Sequence, residues 1–249
     1  MSAKPRWLVG RHVVEESIGA PGRKLLQLLI LLADKERYHA LAEKARAAGA
    51  KVRFVERHEL DRAAAGAAHQ GLAAQVLEQA VVGFSEFLAN LAPADKKSCL
   101  IVAMDQIQDP HNFGAIARSA VCLGAKALIY PERRSAPISQ AVMQSSAGAI
   151  MRLPAYSVGN LAQTLLRMKD DGFWIYGADA DGKAAWTVTL NFPMVLVVGS
   201  EGEGMRPLVR SYCDEVLAIP LAEGGVASLN ASCAASILLY EAARQRDGG

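Results

Sequence analysis

The sequence predicts an α/β protein with a parallel β-sheet, preceded by a smaller α/β domain. Segments with the alternation or apolar runs of strands are followed repeatedly by segments with the periodicity of helices. The run CLIVAMD at 99–105 is almost continuously apolar, which is typical of a strand buried on both faces of a parallel sheet. These patterns do not give the order of the strands.

The composition excludes a bulk polycation that binds nucleic acid without specificity. The chain has 249 residues, of which 51 % are hydrophobic, so it can bury a sizeable core in one large domain or two modest ones. Charged residues make up 21 % and the net charge is +2. This balance leaves room for a local basic patch.

The sequence also predicts a cytoplasmic protein with no membrane segment. The longest apolar run, LLQLLILLA at 25–33, is about half of the roughly 20 residues that a membrane span needs, and the N-terminus lacks the apolar segment of a secretory signal. The cysteines are far apart with no C-x-x-C pair, at Cys99, Cys122, Cys213 and Cys233. We therefore expect reduced thiols and no metal site.

Residues 1–78 predict the smaller α/β domain. Helices are expected at 12–19, 36–48 and 58–64, and strands at 25–32, 51–56 and 71–78. Gly49 stands where a helix C-terminus favours glycine. Residues 79–97 pass through Gly83, a short amphipathic helix and APADKK, and are expected to form a linker.

Residues 98–249 predict the larger domain. After the strand at 99–105, helices are expected at 112–123, 137–147, 160–170, 205–212 and 230–244, and strands at 126–130, 173–178, 194–199 and 215–219. Ligands of open α/β sheets bind where loops leave the carboxyl ends of strands. Three such loops are unusually polar or rich in glycine.

The first loop begins the segment DQIQDPHNFGAIAR. Asp109 and Pro110 form a turn, and Asn112 is expected to cap the helix that follows. Gly114 allows a backbone or a ligand to approach the first turn closely, and Arg118 lies one helical turn beyond it. By pattern alone, a capped helix with a surface arginine explains this loop equally well.

The second loop lies within VLVVGSEGEGMRPL. It is not a dinucleotide fingerprint, because Pro207 stands where G-x-G-x-x-G requires its last glycine. Glu201 and Glu203 would repel a pyrophosphate, and the Gly-Lys-Ser/Thr of a P-loop is absent. A glycine loop with carboxylates suits a neutral or cationic ligand, and a tight turn between strand and helix is the alternative.

The third loop lies within EVLAIPLAEGGVASLNASCAAS. A strand is followed by Pro220, small residues and an amphipathic helix. Ser228 or Asn230 is a good N-cap for that helix. On its own, this stretch is explained by helix capping.

The three loops in this order resemble the SpoU (TrmH) family of RNA ribose 2′-O-methyltransferases. The family motifs N-x-G-x-x-x-R, G-x-E-G-x-G and I-P-M-x-G-x-x-x-S-L-N-x-S correspond to NFGAIAR, GSEGEG and IPLAEGGVASLNAS. The resemblance covers the whole chain. GRHVVEE near the start and HQGLAAQV at 69–76 are similar to the substrate-binding domain of the bacterial branch that methylates a guanosine of 23S rRNA.

The chain departs from the family pattern in its third motif. LAEGG is one residue longer than the usual spacing, and Leu221 replaces the usual methionine. Because the Ser-Leu-Asn core is intact, we expect a slightly different cofactor loop and retained activity.

The resemblance implies transfer of a methyl group from S-adenosyl-L-methionine to a ribose 2′-hydroxyl, without a metal. The catalytic residues that it implies are Asn112, Arg118, Glu201, Ser228 and Asn230. The cofactor-binding residues are Gly199, Gly202, Ile219, Leu221, Ser228 and Leu229.

The family places Arg118 at the hydroxyl group that must lose a proton. A guanidinium hardly ever loses its own proton. Either an RNA phosphate held by Arg118 accepts the proton, or a strongly perturbed Arg118 acts as the base; we prefer the first hypothesis.

The resemblance further implies a deep trefoil knot and a homodimer, both in the C-terminal domain. It also implies that the N-terminal domain binds RNA. Basic residues there are Lys4, Arg6, Arg11, Arg23 and Lys24, of which we expect Arg11, Arg23 and Lys24 to contact phosphates. The alternative is that these charges are scattered over an ordinary surface.

Two other functions stay open. The same chemistry could act on tRNA or on another rRNA nucleotide, although tRNA enzymes of this family usually carry basic terminal extensions rather than this N-terminal domain. The chain could instead be a non-catalytic RNA-binding factor in ribosome assembly. The complete set of motif residues argues against that function.

Overall fold

The computed structural model describes residues 5–19, 23–78, 83–222 and 228–248. Contacts divide these residues into two units. The first contains the described residues up to Glu78 together with Ala147–Arg152, and the second contains residues 83–146 and 153–248. Within the described ranges, no helix is both long and apolar enough to cross a membrane.

The first unit is built on a mixed four-stranded sheet. Its elements are β1 (Arg6–Val9), α1 (Arg11–Ser17), β2 (Arg23–Leu31), α2 (His39–Ala47), β3 (Lys51–Val55), α3 (Arg57–Ala64) and β4 (Leu72–Glu78). The strand order is β1-β4-β2-β3; β2 and β3 are parallel, and β4 is antiparallel to β1 and β2. The predicted helices and strands are confirmed. The sequence patterns missed β1, which has only four residues and lies at the edge of the sheet.

The two N-terminal motifs meet at the start of α1. Gly10, which precedes this helix, has φ +97° and provides no side chain to cap it. Gln70 supplies the cap instead, because its Oε1 accepts a hydrogen bond of 3.0 Å from the backbone N–H of Arg11. This bond connects GRHVVEE to HQGLAAQV.

The second unit is built on six parallel strands, which confirms the predicted parallel sheet. Its elements are α4 (Phe84–Ala89), α5 (Pro93–Lys97), β5 (Leu100–Asp105), α6 (Pro110–Cys122), β6 (Ala127–Pro131), α7 (Gln140–Ser145), β7 (Ala155–Val158), α8 (Leu161–Asp170), β8 (Trp174–Ala184), β9 (Met194–Gly199), α9 (Pro207–Ser211), β10 (Glu215–Ala218) and α10 (Ala231–Gly248). The strand order is β10-β8-β9-β5-β6-β7. The patterns missed α5 and the short edge strand β7.

The sheet order places two of the three loops side by side. Strands β5 and β9 are neighbours, and every residue of both strands is buried. Their last residues, Asp105 and Gly199, are paired across the ladder. The first and second loops therefore leave the sheet at the same edge. The third loop follows β10, beyond β8.

Helix α6 begins earlier than the pattern predicted, and the expectation that Asn112 caps it is wrong. Pro110 is the first helical residue, where its missing N–H costs nothing, and Asp109 is the N-cap. Its Oδ1 accepts a hydrogen bond of 2.9 Å from the backbone N–H of His111. Asn112 lies in the first turn and is only 7 % exposed, so its side chain is free for another role.

Part of the predicted linker packs on the second unit. Phe84 and Phe87 of α4 contact the ring of Tyr156 in β7, with centroid distances of 5.4 and 5.3 Å. The short amphipathic helix predicted within 79–97 is confirmed. Aromatic packing of this kind stabilises the helix on the sheet.

Strand β8 is longer than predicted because it contains a bulge. Gly177 pairs with Val216 of β10, but the next pair is Lys183 with Leu217, so residues 178–182 are not paired with β10. We call residues 178–182 the β8 bulge. A Cβ on Gly182 would lie 2.5 Å from the carbonyl oxygen of Val216, so only glycine fits where the strands rejoin.

We expect the substitution Gly182→Ala to destabilise the protein by about 1–3 kcal/mol, because the added methyl group overlaps a backbone that cannot easily move. Denaturant unfolding measures the change. Gly159→Ala is the matched control, since a Cβ there meets no atom within 4 Å. Equal stability of the two variants would contradict the bulge geometry.

Candidate active site

A cavity of about 490 Å³ opens at the carboxyl edge of the six-stranded sheet. Four segments form its walls: the start of the β8 bulge, the second loop, the end of β10 and the start of α10. The lining residues are Ala178, Asp179, Ala180, Val198, Gly199, Ser200, Glu201, Gly202, Glu203, Gly204, Leu217, Ile219, Leu221, Ser228, Leu229, Asn230, Ala231, Ala234 and Leu238. All six residues predicted to bind a cofactor are among them.

The glycines of the second loop are required by its backbone. Ser200 and Gly204 exchange two backbone hydrogen bonds of 3.0 Å, which close a tight turn. Gly202 and Gly204 have φ values of +83° and +67°, where side chains are strained. A Cβ on Gly199 would lie 2.2 Å from the carbonyl carbon of Gly204. These glycines therefore fold the loop back on itself.

An ion pair between a buried carboxylate and a partly exposed arginine anchors the end of this loop. Asp105 is fully buried at the end of β5, and its two carboxylate oxygens accept bonds of 2.8 Å from the backbone N–H and the Nε of Arg206. A buried carboxylate needs such bidentate pairing to offset its loss of hydration. The sequence interpretation missed this contact, although an aspartate that ends an apolar strand was the available signal.

Side chains from the three loops meet at one point. Asn112 Nδ2 donates a hydrogen bond of 2.9 Å to Glu201 Oε1. Asn230 Nδ2 donates to Asn112 Oδ1 at 3.0 Å and also to Glu201 Oε1. Three of the five predicted catalytic residues are thus joined in one network.

Asn230 caps α10 and belongs to this network at the same time. Its Oδ1 accepts hydrogen bonds of 2.9 and 3.4 Å from the backbone N–H groups of Ser232 and Cys233, and one of 2.6 Å from Ser232 Oγ. Its amide nitrogen is left to bind Asn112 and Glu201. Because an amide carries a separate acceptor and donor, one side chain performs both functions.

Ser228 and Leu229 line the cavity just before α10 and are exposed. The longer LAEGG segment falls partly on residues 223–227, which lie outside the described residues. The expectation of an altered cofactor loop therefore stays a prediction.

Arg118 stands apart from the cavity. It is exposed on α6 and does not line the cavity walls. Its neighbour Ser119 forms a hydrogen bond of 2.7 Å with Ser236, which joins α6 to α10. No carboxylate in the described part of the chain pairs with Arg118, so its guanidinium is available to an anion from outside.

Close backbone packing explains Gly114. A Cβ at this position would lie 1.9 Å from Ser145 Oγ and 2.8 Å from the backbone nitrogen of Ser146. The close approach predicted for Gly114 is therefore made by the end of α7. This contact fixes the position of the first turn of α6 and therefore the position of Asn112.

The predicted RNA-binding residues lie at two ends of the four-stranded sheet. Arg6 and Lys24 pair with Val76 and Leu77 of β4, so they share one end of it. Arg11 follows the opposite end of β1, and its Nε donates to Glu15 Oε1 at 2.9 Å, which raises the pKa of Arg11. Arg23 begins β2 next to Lys24, whereas Lys4 lies outside the described residues.

Two cysteines are excluded as nucleophiles. Burial raises the pKa of Cys99 to about 11 and that of Cys213 to about 12, because a buried thiolate loses its hydration. Both thiols stay protonated at neutral pH, and only the thiolate is a good nucleophile.

Two family models match the chain. The SpoU rRNA Methylase family matches residues 99–240. The family described as RNA 2'-O ribose methyltransferase substrate binding matches residues 7–80. The first match contains all three loops, and the second contains GRHVVEE and HQGLAAQV.

Known relatives match over the full length. The chain is 36 % identical over 250 residues to the 23S rRNA (guanosine-2'-O-)-methyltransferase RlmB of Xanthomonas campestris pv. campestris, covering 100 % of both chains. It is 36 % identical to the putative TrmH family tRNA/rRNA methyltransferase YacO of Bacillus subtilis, covering 99 % of this chain and 98 % of that one.

A solved structure has the same fold. The SpoU methyltransferase AviRb from Streptomyces viridochromogenes, in complex with the cofactor AdoMet, superposes with a TM-score of 0.77. The two sequences are 25 % identical, and the match covers 98 % of this chain and 91 % of that one.

We expect the substitutions Asn230→Ala and Asn230→Ser to separate the two functions of Asn230. Alanine removes the cap and destabilises the protein by about 1 kcal/mol. Serine retains a capping oxygen but, like alanine, lacks the amide group that donates to Glu201. Thermal unfolding should therefore distinguish the variants, while ligand affinity of the cavity falls in both. Equal loss of stability in both variants would contradict the capping role.

Proposed function

The chain belongs to the SpoU rRNA Methylase family, and we propose that it transfers a methyl group from S-adenosyl-L-methionine to the ribose 2′-hydroxyl of a guanosine in 23S rRNA. The observation that carries this proposal is the network of Asn112, Glu201 and Asn230 at the cavity wall. The RlmB of Xanthomonas campestris pv. campestris, whose full length the chain matches, supports the guanosine of 23S rRNA as the acceptor.

The cavity suits the cofactor in size and chemistry. Apolar side chains of Leu217, Ile219 and Leu238 offer contacts to an adenosine group. Asp179 and Glu201 give this wall carboxylates, and none of the described lining residues is Lys, Arg or His. When bound, S-adenosylmethionine supplies a methyl group already activated by its positively charged sulfonium.

Glu201 is suited to orient the ribose. Its Oε1 accepts hydrogen bonds from the side-chain amides of both Asn112 and Asn230. Its Oε2 accepts no hydrogen bond from a described residue. A carboxylate fixed through one oxygen presents the other in a defined direction. We assign Glu201, with Asn112, Asn230 and Ser228, to the alignment of the acceptor hydroxyl, which is where most of the rate enhancement is expected to arise.

Arg118 is suited to hold a phosphate of the RNA. Its guanidinium is exposed and can bind a phosphate in a planar fork. Because the guanidinium keeps its proton, the bound phosphate is the group that accepts the proton of the 2′-hydroxyl.

We expect Arg118→Lys to lose at least about tenfold in methyl transfer, because an ammonium group is a point charge and cannot form the fork. Affinity for S-adenosylmethionine should be unchanged, since Arg118 does not line the cavity. Transfer of a radiolabelled methyl group to rRNA, together with calorimetric titration of the cofactor, measures both. Full activity of the variant would rule out the bidentate contact between Arg118 and a phosphate.

The domains have separate tasks in this proposal. Residues 1–78 bind the RNA, residues 79–97 connect the domains and residues 98–249 carry the cofactor site. The family match at 7–80 supports the first assignment. Arg23 and Lys24, beside Arg6, are the candidates for phosphate contacts at one end of the sheet, and Arg11 is the candidate at the other.

A homodimer through the larger domain also belongs to the proposal. Ile237 and Tyr240, one helical turn apart on α10, are 44 % and 61 % exposed, and a dimer interface would bury this apolar pair. An isologous dimer would use this surface twice. Family membership further supports a trefoil knot in the domain and a cytoplasmic location, where ribosomal RNA is modified.

Methylation mapping tests the substrate. We expect one 2′-O-methylated guanosine of 23S rRNA to be absent from cells that lack this protein and restored by the wild-type gene. The Arg118→Lys variant should not restore it. An unchanged 23S map with a lost tRNA methylation would favour the second candidate, which the tRNA/rRNA description of the Bacillus subtilis relative supports.

A further inference from the structure

The walls of the cavity carry an excess of negative charge. Asp179, Glu201 and Glu203 line it, and the described lining residues include no basic side chain. Glu201 and Glu203 belong to the second loop, whereas Asp179 lies in the β8 bulge, outside the three motifs. The function of Asp179 is therefore not explained by the motifs.

Asp179 and Asp181 bind the same arginine, Arg210, and we call these three side chains the clamp. Asp179 Oδ2 accepts a hydrogen bond of 2.6 Å from Arg210 Nη1, and Asp181 Oδ1 accepts one of 2.6 Å from Arg210 Nη2. These contacts fix the bulge to α9, the helix that follows the second loop. They also raise the pKa of Arg210, with the bond to Asp181 as the largest cause.

The clamp leaves one negative charge unbalanced. Two carboxylates surround a single guanidinium, so the three side chains together have a charge of −1. Asp181 is 72 % exposed and does not line the cavity, whereas Asp179 is 31 % exposed and does. Because water screens Asp181, the excess charge acts on the cavity mainly through Asp179.

The two forms of the cofactor differ in charge. The methyl donor carries a sulfonium, and its product, S-adenosylhomocysteine, is a neutral thioether with the same adenosine and amino-acid groups. Adenosine contacts alone bind both forms almost equally. A carboxylate on the cavity wall attracts only the sulfonium form more strongly.

We propose that Asp179 is a specificity-determining residue that makes the cavity favour the cationic methyl donor over its neutral product. Arg210 positions this carboxylate, and the β8 bulge brings it to the wall. Methyl transfer removes the positive charge from the sulfur, so the carboxylate of Asp179 no longer attracts it. The product is therefore bound more weakly and is released more readily. This inference rests on the proposed function, because it requires S-adenosylmethionine in this cavity.

Calorimetric titration of the full chain with S-adenosylmethionine and with S-adenosylhomocysteine tests the proposal. We expect Asp179→Asn to lower affinity for the donor about fivefold, as is typical for the loss of one nearby charge in a wet site. Affinity for the product should change less than twofold. An equal loss for both ligands would overturn the proposal.

Asp181→Asn is the matched control. It removes the exposed carboxylate and leaves that of Asp179 on the cavity wall. Arg210 then balances the charge of Asp179 more completely, so affinity for the donor should fall by less than in Asp179→Asn, and affinity for the product should stay within twofold of the wild type. A donor-selective loss as large as that of Asp179→Asn would show that the effect passes through Arg210, and would overturn the role of Asp179.

The wild-type protein provides a second test that does not depend on the folding of a variant. Affinity for the donor should fall as ionic strength rises from 0.05 to 0.5 M, and affinity for the product should not. Equal salt dependence would overturn the inference and leave the proposed function intact. Failure of the wild type to bind either ligand would instead overturn the proposed function itself.

Discussion

The parallel pairing of β5 with β9 is the constraint on which the site depends. Both strands are buried along their whole length, and their ends are in register at Asp105 and Gly199. The carboxylate of Asp105 then binds the backbone and side chain of Arg206, where the second loop returns. The second loop is therefore fixed at both of its ends to neighbouring strands. This restricts the conformation of the turn between those ends.

The third loop joins this arrangement through a single amide. Asn230 satisfies the free N–H groups at the start of α10 with its oxygen, and its nitrogen reaches Asn112 and Glu201. Helix capping and site formation are thus one structural event. A loop of small polar residues suits this task because bulky side chains would fill the cavity that the helix start encloses.

Local patterns predicted most elements, and they failed where tertiary context outweighed them. The edge strands β1 and β7 have four residues each, too few for a clear alternation. The pattern favoured Asn112 as a cap, but Pro110 moved the start of α6 so that Asp109 took that role. Asn112 was thereby released to join the network, a role that the family resemblance implied and the local pattern did not.

The sequence by itself determined most of the strands and helices, the parallel class of the larger sheet and the motifs that identify the family, because these depend on local periodicity and on residue identity. Only the tertiary structure decided which side chains meet. Asn112 lies 89 residues from Glu201 and 118 from Asn230, and their contact depends on the strand order. The clamp of Asp179 and Arg210 likewise depends on the register shift between β8 and β10. Strand order and register arise from packing between distant segments, which no local pattern specifies.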